Sequence, residues 1–178
     1  IENYENYEIT KKQLLLSINK NTNNLQLTEM LIWLYMQSAD FKMALIQAKA
    51  LDKRGENDGK IVYDIGETLL DYQEYDMAID AFNHILNLNQ KSEIYISSCI
   101  NKLFAMTKSI STKKDLNKIN NLYAKFIKEL GKNRNTVLLL SNYANFKAFY
   151  LNQLNEASIL LEEAININLI SSNDLAEC

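Results

Sequence analysis

Apolar positions along this chain recur at helical spacing, and the recurrence itself repeats. In residues 40–51 (DFKMALIQAKAL) the residues Phe41, Ala44, Ala48 and Leu51 follow one another at intervals of 3, 4 and 3, which lines them along one face of a helix. Offset by 34 residues and without a gap, residues 74–85 (EYDMAIDAFNHI) carry the same stripe as Tyr75, Ala78, Phe82 and Ile85, with Met77 matching Met43. The offset extends upstream. It links Leu31, Ile65 and Cys99, then Tyr35, Leu69 and Leu103, then Ile32, Gly66 and Ile100, then Thr28, Val62 and Ile96. Each unit therefore reads as two amphipathic helices, and the period predicts helix pairs stacked in series.

Fainter copies flank these. Residues 3–20 fit a lone second helix, and full units are expected at 25–58, 59–92, 93–134 and 135–170. The third carries an insertion of 7 residues centred on residues 109–114, after which Thr112 and Asp115 predict a capping box where the helix restarts. Its second helix places Ile119, Tyr123 and Phe126 on the core stripe, and the fourth unit places Ala157, Leu161 and Ala164 there. The same register starts another unit at Ser172 (172–178), with Cys178 repeating the core role of Cys99. The chain is thus expected to be an interior slice of a longer array.

With Gly66 at the eighth position of its unit, Tyr75 at the seventeenth, Ala78 at the twentieth and Phe82 at the twenty-fourth, the pattern resembles the tetratricopeptide repeat. Unit 25–58 keeps Leu31, Tyr35, Phe41 and Ala44 but has Ile32 where a small residue is usual. Glu56 and Gln90 stand where the family favours proline. Residues 32–54, 129–132 and 148–164 are similar to the interior of long bacterial tetratricopeptide proteins, which have no assigned biochemistry. That resemblance implies an exported or periplasmic setting. The fold it implies is all-α: a right-handed α-α superhelix of about four helix pairs plus flanking half-repeats.

The resemblance also implies a concave face lined by the first helices. Its positions fall on Glu29, Trp33 and Gln37, on Tyr63, Glu67 and Asp71, on Ser97, Asn101 and Phe104, and on Asn142, Phe146 and Tyr150. Trp33 serves equally well as an interface anchor or as a ring packed on the next repeat. For Phe146, Phe149 and Tyr150, packing is the favoured use. Repeats that grip a peptide carboxylate place Lys and Asn at two successive first-helix positions. Here those positions hold Glu29–Met30, Tyr63–Asp64 and Ser97–Ser98, so no such clamp is expected.

Composition narrows the chemistry. Apolar residues make up 47% of the 178, a globular value, and the net charge of −3 argues against nucleic acid as a partner. Two cysteines and one histidine, His84, supply neither a disulfide framework nor a zinc site. Proline is absent, which permits long helices. No stretch is apolar enough for a membrane span. Lys114, Lys118, Lys125, Lys128 and Lys132 share one helical face and are read as solvated. His84 and Cys99 are read as packing residues. Glu67 and Asp71, one turn apart on the expected groove, have the residue types of a hydrolytic pair but are read as solvent-facing charges.

The expected function is accordingly a non-enzymatic protein–protein interaction scaffold, with no catalytic residues, cofactor or metal. Its partner is a protein or peptide, and the exposed terminal repeats offer a route to oligomers. The alternative is a structural spacer within a larger exported or envelope-associated assembly.

Overall fold

The computed structural model describes residues 2–21, 24–55, 58–88 and 93–176. Among these are nine α-helices and no strand: α1 (Glu2–Lys20), α2 (Leu25–Gln37), α3 (Phe41–Lys53), α4 (Lys60–Asp71), α5 (Tyr75–Asn87), α6 (Glu93–Lys108), α7 (Lys113–Leu130), α8 (Val137–Tyr150) and α9 (Leu154–Ala176). A 3-10 turn, Arg134–Thr136, precedes α8. Contacts divide the chain into two compact units, one ending at residue 89 and the other beginning at residue 90. Glu56, Gln90 and Cys178 lie outside the described residues.

The 34-residue offset survives at the level of individual hydrogen bonds. At the turn between α2 and α3 the Asp40 N–H donates to the Tyr35 carbonyl at 2.9 Å, and between α4 and α5 the Glu74 N–H donates to the Leu69 carbonyl at 2.8 Å. Between donor and acceptor lie Ala39 (φ 57°) and Gln73 (φ 61°), both left-handed. Asn152 (φ 53°) stands at the same place in the turn between α8 and α9. The first two turns are the six-to-one helix stop that satisfies the last carbonyls, whereas in the third the Gln153 N–H reaches one residue further back, to the Lys147 carbonyl at 2.9 Å. A left-handed residue other than glycine costs ~1–2 kcal/mol, so the packing of each pair must fix its turn. Asp40 adds a cap, its Oδ1 accepting from the Met43 N–H at 3.3 Å.

In the N-terminal unit the stripe residues close the core. Leu31, Tyr35, Ala44, Ala48 and Leu51 meet Val62, Ile65, Leu69, Ala78, Phe82 and Ile85, each no more than 4% exposed. Gly66 is required by close approach. A methyl group built there would lie 2.8 Å from Phe82 Cε1 and 2.9 Å from Cζ.

The C-terminal unit follows the same plan with a longer second helix. The capping box forms as expected: Thr112 Oγ1 accepts from the Asp115 N–H at 3.3 Å, and Asp115 Oδ2 accepts from the Thr112 N–H at 2.8 Å. Hydrogen bonds from the Thr112 hydroxyl and from the Ser111 and Thr112 N–H groups hold the Asp115 carboxyl below the usual range. Ile119, Tyr123 and Phe126 are buried.

Two expectations need correction. Leu161 is 41% exposed, not core, whereas Ala157 and Ala164 are buried. The helix α9 packs chiefly on α8 and the 3-10 turn, so its small residues take the close contact and Leu161 shares the exposed side with Ile159 and Ile165. The expected junction at 170–172 is also absent, because α9 runs unbroken to Ala176. No glycine or proline interrupts that stretch, and nothing in it forces a turn.

Candidate functional site

In the N-terminal unit, α2 and α4 present their flanks to one another. Glu29, Ile32, Trp33 and Met36 from α2, with Ile61, Asp64, Ile65 and Thr68 from α4, line a cavity of about 310 Å³. Its floor is the buried pair Ile32 and Ile65, and its wall is Trp33, which is 62% exposed. Trp33 is thus not sealed among the described residues, which leaves both uses open to it. Two carboxylates complete the lining and no cationic side chain does. Burial raises the Asp64 carboxyl above its ordinary pKa, nearby Lys60 opposes the shift, and Glu67 adds to it.

The other expected residues of this unit divide. Tyr63 is half-buried, its ring edge-on to Phe82 at 6.0 Å. Its hydroxyl donates to Glu67 Oε1 at 2.8 Å. Gln37 and Asp71 are exposed and lie outside the cavity lining. Glu67, engaged by Tyr63, and Asp71 both lie outside the cavity lining.

The C-terminal unit holds an aromatic cavity of about 160 Å³, lined by Phe104 and Thr107 of α6, Tyr123 of α7, and Asn142, Asn145, Phe146, Phe149 and Tyr150 of α8. Phe146 takes the packing role favoured for it, and the correction is that it leaves the set of groove positions. It is 2% exposed, with its ring centroid 5.5 Å from Tyr123 and 5.3 Å from Tyr150, so it forms the floor and offers a partner almost no surface. Phe149, 81% exposed, and Tyr150 and Phe104, each 46% exposed, form the accessible rim. Ser97 and Asn101 are half-buried and outside the lining.

Sequence reasoning missed Met36, Ile61, Asp64 and Asn145 as lining residues. Packing is the favoured sequence reading of Phe149, and its 81% exposure departs from that. Asp64 and Ile61 sit on the flank of α4, and only the cavity formed between α2 and α4 reveals them.

Other reactive groups are accounted for by structure. His84 Nε2 lies 2.9 Å from Asp52 Oδ2, and the Gly59 N–H donates to Asp52 Oδ1 at 3.2 Å. Burial raises the Asp52 carboxyl, and the His84 and Gly59 hydrogen bonds oppose that. The pair ties α3, α5 and the start of α4 together, and among the described residues no hydroxyl or thiol is bonded to His84 to make a triad. Burial pushes the Cys99 thiol up to about 12, which leaves it un-ionised and inert at neutral pH. The lysines of α7 are exposed. Just past its end, Lys132 is paired with Glu163 at 2.6 Å.

No protein-family model and no curated protein matches this chain. Among solved structures it is similar to MamA. A MamA crystal structure aligns with a TM-score of 0.59 at 14% identity, covering 97% of this chain and 94% of that one. The MamA RS-1 ArsTM double mutant aligns at 0.58 and 12% identity, covering 93% of this chain and 86% of that one. MamA MSR-1 C2 aligns at 0.54 and 11%, covering 95% and 91%. At these identities the likeness concerns architecture alone, and with the turn geometry above it identifies the fold as an all-α, tetratricopeptide-like helical repeat.

Proposed function

We propose that the chain is a protein-binding scaffold that takes up partner segments on its first helices, with no chemistry of its own. The observation that carries this is Trp33. A large aromatic ring, 62% exposed beside a formed apolar cavity, is an arrangement typical of interface anchors and wasteful in a wall that touches nothing. The exposed Phe149 and Tyr150 give the C-terminal unit a second such surface.

The test is recovery of bound protein by the full-length protein, compared with Trp33→Ala and Phe149→Ala variants. Both side chains are largely solvent-exposed, so truncation should leave folding intact. A true anchor loses about 2 kcal/mol or more, roughly a thirtyfold drop in affinity. Recovery unchanged in both variants would sink the groove reading and favour a spacer that binds nothing.

A further inference from the structure

The N-terminal cavity has a chemistry more specific than a generic groove. Trp33 is 62% exposed at the cavity wall. Glu29 and Asp64 line the same cavity, one on each helix. Neither carboxylate has a hydrogen bond or ion pair with another described residue. Of the groups beside them, Glu67 is acidic and already holds the Tyr63 hydroxyl, while Lys60, one turn before Asp64, lies outside the lining. The apolar remainder is Ile32, Met36, Ile61 and Ile65, with the Thr68 hydroxyl turned back to the Asp64 carbonyl at 3.0 Å. The lining thus offers an aromatic face, an apolar floor and unpaired negative charge. Its volume is at the small end of ligand pockets, sized for one long side chain.

We infer that this cavity takes an arginine side chain presented by an apolar segment of the partner protein, the guanidinium stacking on Trp33 and pairing with Glu29 or Asp64. This rests on the scaffold reading above. Arginine suits the lining better than lysine for physical reasons. Its planar group stacks on an indole, forks a carboxylate, and is more weakly hydrated than an ammonium, so less is lost on entering a half-apolar cavity. Its methylene stem covers the isoleucines. An acidic segment would add like charge, and a neutral apolar one would partly desolvate both carboxylates, of which only Asp64 has a nearby cation, Lys60.

Trp33 is the only tryptophan of the chain, so its emission reports on this cavity alone. The experiment titrates the 178-residue chain with acetyl-Leu-Arg-Leu-amide and with the same peptide carrying citrulline, the uncharged isostere, to ~10 mM. The arginine peptide is expected to shift Trp33 emission saturably, with an affinity at least ~10-fold above that of the citrulline peptide. In a Glu29→Gln/Asp64→Asn variant the preference should vanish while the citrulline peptide binds as before. Equal binding of both peptides to the native chain would overturn the arginine assignment and leave the groove intact. No saturable change with either peptide would also overturn it, and the Trp33→Ala recovery experiment then decides the groove separately.

Discussion

Phe82→Ala is expected to destabilise the N-terminal unit by about 3–5 kcal/mol, the range for emptying a buried aromatic site. Phe82 is fully buried and fills the space that Gly66 leaves open on α4. The two residues are one packing solution: a helix with no side chain at one point, and a ring that occupies the gap. The reciprocal change makes this testable. Gly66→Ala gains ~1 kcal/mol of helix propensity but drives a methyl to within 2.8 Å of a ring that cannot retreat. Overpacking of that kind costs about 1–3 kcal/mol, so the variant should be less stable than the native chain. In a Phe82→Leu background the same methyl has room, and its cost should fall to zero or turn into a gain. Urea denaturation of the four chains in the cycle measures the coupling. Simple additivity would show that the two residues do not share the gap.

The second large effect belongs to the C-terminal unit. The Tyr123 ring stacks on Tyr143 with centroids 4.8 Å apart and an interplanar angle of 11°, and it also touches Phe146. Tyr123→Ala removes the ring that joins α7 to α8, and about 3–5 kcal/mol should be lost. Part of that is the aromatic pairing itself, worth about 0.5–1.5 kcal/mol per pair. By contrast, the Tyr123 hydroxyl makes no hydrogen bond with the described residues, so Tyr123→Phe should change stability by less than ~1 kcal/mol. Thermal unfolding followed by circular dichroism separates the two variants. A Tyr123→Phe loss as large as that of Tyr123→Ala would mean that the hydroxyl, not the ring, holds the unit.

Much of the fold was legible because its determinants are local and periodic. The stripe Leu31, Ile65, Cys99 is at most 2% exposed at every copy, and the capping box at Thr112 forms where its two residues are spaced for it. What failed was whatever depended on neighbours. Leu161 has the period of a core residue, but burial needs a covering surface, and α9 packs chiefly on α8 and the 3-10 turn. The break expected near residue 170 rested on register arithmetic, with no glycine or proline to enforce it. The candidate site was legible in outline. First-helix positions led to Trp33, Glu29, Phe104 and Tyr150. They also led to Phe146, which shares Trp33's place in the repeat yet is sealed by Tyr123 and Tyr150. The left-handed residues at Ala39 and Gln73 had no sequence signal, because neither is glycine or asparagine.

The central claim is that partners bind on the first helices. Hydroxyl-radical footprinting of the full-length protein, free and with its captured partner, tests it directly. The account predicts protection of Trp33, Met36, Phe149 and Tyr150 in the complex, with the exposed Ile46 and Tyr72 unchanged. Protection of Ile46 and Tyr72, with Trp33 and Phe149 as reactive as in the free protein, would contradict it.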